Sequence, residues 1–158
     1  MKFYTVQKRS VWNKWEKQGF LKASEREDEL FEGAYKWMRE QMSSRLLNYI
    51  GEPLIWLWTE KPQWYRNWSD IPRKKFVLLT LELNEGEVVF SDFDAWHIIL
   101  NDLEFDDGER WERVFDLEWL KKNFLEEHEK QTLQATTGII DISKVIDVKY
   151  FTNKKSDY

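Results

Sequence analysis

Three polar side chains share one stripe of a predicted helix and could together bind a ligand. Asp94, His97 and Asn101 follow the spacing i, i+3 and i+7 along a helix predicted over 92–100, which places a carboxylate, an imidazole and an amide in line. Trp96 lies directly beside this stripe. A neighbouring carboxylate favours the charged form of an imidazole, so the stripe could orient a ligand. The same spacing also fits Asp94 as a capping residue and His97 as a half-buried packing residue.

Ten tryptophans and an aromatic content of 16% are the unusual feature of the composition. Aromatic walls with few polar groups suit a planar ligand such as a nucleobase or a sugar. The alternative, that large rings simply fill the core, stays open for most of them, and it is the interpretation we adopt for Trp37, Trp111 and Trp119. With Gln7 and Arg45 as weaker candidates, the predicted ligand-binding residues are Gln7, Arg45, Trp56, Trp58, Asp94, Trp96, His97 and Asn101.

Several kinds of site are excluded by missing residues. The absence of cysteine removes disulfides, thiol nucleophiles and cysteine-ligated metals. The two histidines do not make a metal site, and the acidic tract over 102–109 lacks the glycine and the final carboxylate that a calcium loop requires. No phosphate-binding glycine loop and no serine-hydrolase motif occurs. We therefore predict no metal, no cofactor and no identifiable catalytic residue.

The charge balance bears on possible partners. Lys and Arg total 24 and Asp and Glu total 29, which gives a net charge of −5 and argues against binding duplex DNA. The short basic runs at 73–75 and 154–155 are interpreted as solvated surface. Neither a signal peptide nor an apolar run of about 20 residues is present, so we predict a cytoplasmic protein without membrane contact.

The pattern of apolar residues predicts a single α+β domain over 1–152, mostly an antiparallel sheet packed with helices, and a polar tail over 153–158. Val77, Leu79, Leu81 and Leu83 form one apolar strand face, and 88–90 is expected to return on that strand as a hairpin. A long loop over 60–75 is expected to lie over the domain. The predicted strands are 2–7, 53–59, 76–83, 88–90, 131–137 and 145–151, and the predicted helices are 10–18, 24–47, 92–100 and one beginning near 109.

Four segments resemble a bacterial family known as domain of unknown function 3841. They are Tyr4–Gln7, Tyr35–Met42 with Arg45, Pro53–Trp58, and Ser91–His97 with Leu100 and Asn101. The likeness runs over nearly the whole chain and is most specific between 92 and 101. It implies a small bacterial or bacteriophage protein, and it implies no activity, catalytic residue or cofactor.

The element order is also similar to that of small ADP-ribosyltransferase domains, which bind NAD in a split-sheet cleft. Those families place His or Arg on the first strand and usually Glu on a late strand. The corresponding places in this sequence offer Thr5 or Gln7, and Gln131 or Gln134. A glutamine cannot act as a carboxylate base, which weakens the analogy at the level of chemistry.

Three functions are therefore carried forward. The leading hypothesis is that a planar or nucleotide-like small ligand binds in a tryptophan-lined cleft. One alternative is an NAD-consuming enzyme that resembles ADP-ribosyltransferases, with NAD as its cofactor. The other is a protein-interaction module of a phage or defence system, in which exposed tryptophans contact a protein partner.

Overall fold

A six-stranded antiparallel sheet forms the centre of the protein. The computed structural model describes residues 1–25, 31–63, 65–67, 69, 71–105, 108 and 110–154. The sheet has the strand order β5-β6-β3-β1-β4-β8, and a separate pair joins β2 to β7. The strands are β1 (Lys2–Lys8), β2 (Phe20–Leu21), β3 (Ile55–Trp58), β4 (Lys75–Glu82), β5 (Val89–Asp92), β6 (Leu133–Thr137), β7 (Ile140–Asp141) and β8 (Val145–Thr152). With the helices, this confirms the predicted α+β class.

The described residues form four α-helices: α1 (Arg9–Gln18), α2 (Glu32–Arg45), α3 (Phe93–Leu100) and α4 (Leu117–Asn123). Helix α1 ends where predicted, since Gly19 adopts a left-handed φ of 86° and its N–H donates to the Trp15 carbonyl. The helix predicted near 109 is instead a 3₁₀ helix, Trp111–Phe115, followed by α4. Asp116 separates the two because its carboxylate accepts from the Trp119 N–H and caps a new helix.

Alternation along the strands divides the core between the two faces of the sheet. On one face, the predicted apolar residues of β4 pack with Ile55 and Leu57 of β3 and with Trp12 and Trp15 of α1. On the other face, α2, α3 and α4 cover the half of the sheet that contains β3, β6 and β5. Trp37, Trp111 and Trp119 are partly buried against this second cluster, which agrees with their assignment to the core.

On this second face, the half of the sheet that contains β1, β4 and β8 is covered by the loop that follows β3. Tyr65 of this loop packs on Val6, Phe76, Leu78 and Phe151. The expected position of the loop over the domain is thus seen for its described residues, while Trp64 and Trp68 lie outside them.

The predicted hairpin between the strand at 76–83 and residues 88–90 is wrong. β4 pairs with β1 on one side and with β8 on the other, so neither of its edges is open to β5. β5 pairs with β6 instead, with Ser91 opposite Gln134. Sequence periodicity fixes which residues share a face, but it does not fix which strands are neighbours.

The end of β8 is tied to the loop before β4. Asn153, which the sequence places in the polar tail, is only 3% exposed. Its amide donates to the carbonyls of Ser69 and Ile71 at 2.6 and 2.9 Å and accepts from the Ser69 N–H at 3.1 Å. Within the described part of the chain, no helix is both long enough and apolar enough to cross a membrane.

Candidate functional site

A cleft opens where strands β1 and β3 diverge. All seven residues of β1 pair with β4, whereas β1 and β3 share the single register pair Tyr4 and Trp58. Beyond that pair, residues 5–7 of β1 and 54–57 on the β3 side line a cavity of about 770 Å³. This volume lies within the range of about 300–1,000 Å³ that is typical of small-molecule sites. The split in the sheet therefore leaves room for a ligand.

One wall of the cleft is aromatic. Alternation along β3 turns Trp56 and Trp58 towards α2 and α3, where the ring centres of Trp56 and Trp96 lie 5.0 Å apart. The ring of Tyr35 lies 6.1 Å from that of Trp56 and 6.2 Å from that of Trp96. Trp58 packs on Phe93 at 5.0 Å. Because each ring is held by a neighbour, the wall is preorganised for a flat ligand.

Two neutral amides also line the cleft. Gln7 donates through Nε2 to the Thr5 hydroxyl at 2.9 Å, and Gln134 donates through Nε2 to the Ser91 hydroxyl at 3.0 Å. Thr5 and Gln134 are almost fully buried, at 4% and 5% exposed. These bonds hold each amide in one orientation. Thr5, Gln7 and Gln134, three of the four positions that the ADP-ribosyltransferase analogy singled out, thus meet in this cleft and carry neutral side chains. The fourth, Gln131, lies elsewhere and donates to the Leu117 carbonyl at 3.2 Å.

The charged groups of the cleft lie mainly on its α1 side. Lys14 and Lys22 line it together with Glu25, which is the one carboxylate among the described lining residues. His97 of α3 lines the cleft from the opposite direction. Its Nδ1 lies 2.8 Å from the Phe93 carbonyl oxygen, which holds the proton of a neutral ring on Nδ1 and leaves Nε2 as the acceptor.

Five of the eight predicted site residues line the cleft: Gln7, Trp56, Trp58, Trp96 and His97. The other three lie elsewhere, so the predicted stripe does not act as a unit. Asn101 follows the last residue of α3 and its Nδ2 donates to the His97 carbonyl at 2.7 Å. Asp94 is exposed on α3. The guanidinium of Arg45 lies 4.0 Å from the centre of the Phe115 ring.

The carboxylate that caps α3 is Asp92, not Asp94. Its Oδ1 accepts from the Ala95 N–H at 2.8 Å, while its Oδ2 is buried without a hydrogen-bond partner among the described residues. Burial raises the pKa of the Asp92 carboxyl above its usual value of 3.8. The Ser-Asp dipeptide before an apolar run is the sequence signal for this cap. The alternative interpretation of Asp94 as the capping residue is therefore wrong.

The lining residues that sequence reasoning missed include Lys14, Lys22, Glu25, Tyr35 and Phe93. Tyr35 and Phe93 carry ordinary helical core patterns, and the two lysines carry no distinctive pattern at all. Gln134 was noticed only through the ADP-ribosyltransferase analogy, although a glutamine inside an apolar strand is itself a signal of a buried polar contact. The described residues contain no group of three or more side chains suited to holding a metal ion.

Comparisons with known proteins give one match. The profile of a family described as "Domain of unknown function (DUF3841)" matches residues 2–105. This range includes β1, β3 and α3, and therefore most of the cleft, but not β6 with Gln134. Searches of curated proteins and of solved structures return no significant match.

Proposed function

Because this chain belongs to the DUF3841 family, described only as a domain of unknown function, we propose from the cleft itself that the protein binds a planar, nucleotide-like small molecule. The ligand lies in the gap between β1 and β3, against Trp56, Trp58 and Trp96. Gln7 and Gln134 recognise its polar edge. We place this activity in the cytoplasm of a bacterium or of a phage-infected cell, which is the setting that the family resemblance implies.

The observation that carries this proposal is the loss of pairing between two neighbouring strands beside a fixed aromatic wall. An unpaired stretch of buried backbone is costly unless something else satisfies it, and a ligand in the gap offers such partners. The fixed amides add the few well-placed polar groups that small-molecule sites need. None of the eight described tryptophans is largely exposed, so the interface hypothesis has less support than the cleft.

The charge of the cleft favours a ligand that carries phosphate. Among the described lining residues, Lys14 and Lys22 outnumber the single carboxylate of Glu25. A ligand with a planar ring at the tryptophans and an anionic group towards α1 matches the placement of the aromatic and the positively charged side chains. We therefore use adenosine diphosphate as the probe.

The first experiment is native mass spectrometry of the purified protein, followed by analysis of any released small molecule. The second is a titration with adenosine diphosphate followed by tryptophan fluorescence. Gln7→Ala is expected to weaken binding about tenfold or more, because losing a hydrogen bond to a buried partner costs about 1–3 kcal/mol. Asn101→Ala is the matched control, since it removes an amide outside the cleft. Equal affinity for the wild type and Gln7→Ala would contradict the proposal.

A second candidate is an NAD-consuming enzyme that resembles ADP-ribosyltransferases. It is favoured by the split sheet and by the meeting of the first-strand and late-strand positions in one cleft. With Thr5, Gln7 and Gln134 there, the described carboxylate available for chemistry is Glu25. Incubation with NAD should then release nicotinamide, and Glu25→Gln should abolish the release. Absence of nicotinamide with the wild type would rule this candidate out.

A further inference from the structure

Four cations surround the aromatic cluster beneath the loop that follows β3. Lys61, Arg66 and Lys149 place their charged groups 5.9, 5.7 and 5.8 Å from the centre of the Tyr65 ring. Lys74 places its ammonium 5.8 Å from the centre of the Phe76 ring. We call these four residues the basic platform. Lys61, Arg66 and Lys74 lie in the loop between β3 and β4, and Lys149 lies on β8. Of these, only Lys74 belongs to a basic run of the sequence, the one at 73–75 that we interpreted as solvated surface.

The platform stands on a rigid base. The ring of Phe151 lies 5.0 Å from that of Tyr65 and 5.7 Å from that of Phe76. Backbone hydrogen bonds then fasten the loop to the end of β8: Lys154 donates to the Arg66 carbonyl at 2.9 Å, and Asn153 donates to the Lys74 carbonyl at 2.8 Å. The backbones of Arg66, Lys74 and Lys149 therefore keep fixed positions, which suits recognition of a ligand of defined charge spacing.

The charges of the platform are not neutralised within the described part of the chain. None of the four cations takes part in an ion pair there, although the whole protein carries −5. Asp147 is a nearby carboxylate, two residues before Lys149 on β8. The hydrogen bond from Arg66 and the charges of Arg66 and Lys149 lower the pKa of the Tyr65 hydroxyl, as a positive local potential should.

The platform adjoins the cleft. Val6 packs in the cluster with Tyr65, Phe76 and Phe151, and the same residue lines the cleft. A chain that crosses the platform can therefore continue into the cleft around this one side chain. The two surfaces offer a fixed array of positive charges next to a pocket for a flat ring.

We infer that the basic platform binds the phosphates of a single-stranded nucleic acid, one base of which enters the cleft. The inference rests on the proposed function of the cleft. Single strands fit because their bases are unstacked and free to enter a pocket, whereas a duplex must first expose the base at a cost of a few kcal/mol. The net negative charge of the protein also disfavours the wide electrostatic footprint of a duplex.

The test is fluorescence anisotropy with an end-labelled oligothymidylate of about 12 nucleotides, a length within the usual range of single-strand sites. Four phosphate contacts predict that the logarithm of the binding constant falls with the logarithm of salt with a slope of about −2.8. In the double variant Lys61→Gln, Lys149→Gln the slope should fall to about −1.4. The double variant Lys121→Gln, Lys122→Gln on α4 removes the same two charges far from the platform and should leave both slope and affinity unchanged.

The possible outcomes separate this inference from the function of the cleft. Binding of adenosine diphosphate without binding of the oligonucleotide overturns the platform alone, and binding of neither overturns both. Equal affinity for a duplex of the same length, or equal competition by polyglutamate, also contradicts the inference, because either shows charge recognition without single-strand recognition. If the oligonucleotide affinity is unchanged in the double variant Lys61→Gln, Lys149→Gln, the binding occurs elsewhere and the inference is overturned.

Discussion

Tyr4 of β1 lies opposite Trp58 of β3, and this is the single register pair that joins the two strands. On one side of the pair β3 ends, and on the other side the candidate cleft begins. The fold thus places its gap between two central strands of the sheet. The aromatic wall of the cleft starts at this pair, because Trp58 is the last residue of β3.

Asp92→Asn is expected to alter how stability depends on pH. Because burial raises the pKa of this carboxyl in the folded state, the fold prefers its protonated form. The stability that the protonated Asp92 carboxyl contributes is fully present below about pH 3.8 and is lost as pH rises through the folded-state pKa. Asparagine retains the capping oxygen, so the variant should gain stability relative to the wild type across that window. Urea unfolding at a series of pH values measures the difference.

The control for this prediction is Asp94→Asn, which removes an exposed carboxylate from the same helix. We expect it to change the free energy of unfolding by less than about 0.5 kcal/mol. A difference between the wild type and Asp92→Asn that is constant over the whole pH range would contradict the assignment of Asp92.

Gly138→Ala is expected to destabilise the protein by about 1–3 kcal/mol. A Cβ at this position would lie 2.5 Å from the Glu52 carboxylate and 3.0 Å from the Tyr49 ring. Burial, followed by the charge of Glu52, raises the pKa of Tyr49 to about 12, so displacing this ring should bring the pKa back towards 10. Thermal unfolding and an ultraviolet titration of tyrosine measure the two effects.

Gly33→Ala is the matched substitution, since a Cβ there meets nothing within 4 Å and the residue lies in α2. It should stabilise the protein by about 0.5–1 kcal/mol through helix propensity. If both alanine variants had the same stability, close packing at Gly138 would not be the cause.

Asn153→Ala is expected to cost about 1–3 kcal/mol, because it removes a buried amide that makes three hydrogen bonds with the backbone of Ser69 and Ile71. It should also weaken oligonucleotide binding, since the Asn153 side chain holds the loop segment between Arg66 and Lys74 of the basic platform, and leave binding of adenosine diphosphate unchanged. Thr152→Ala, at the exposed neighbouring position, is the control for denaturation and for anisotropy. Full oligonucleotide affinity in Asn153→Ala would contradict a role of the Asn153 side chain in holding the basic platform.

Local patterns in the sequence predicted the elements and their faces well. The alternation of β3 correctly places Ile55 and Leu57 on one core face and Trp56 on the other. The pairing of β5 with β6 was not predictable, because it depends on which strand edges remain open after β1 and β8 have covered β4.

The same division between local and distant information applies to the site. Trp96 and His97 line the cleft as their helical spacing suggested, but Asn101 follows the last turn of α3 and turns back onto it. The basic platform joins cations from the β3–β4 loop and β8, and only the fold brings those segments together. Spacing along one element predicts a shared face, whereas a site between elements requires the strand order.

The most direct test of the cleft is an NMR titration of the tryptophan indole N–H signals with adenosine diphosphate up to about millimolar concentration, where weak ligands still bind. The account predicts shifts of the signals of Trp56, Trp58 and Trp96, each assigned by substitution. The signals of Trp37, Trp111 and Trp119, packed with α2 and α4 away from the cleft, should stay in place. Shifts confined to those three signals, or no shift in any signal, would contradict a ligand site between β1 and β3.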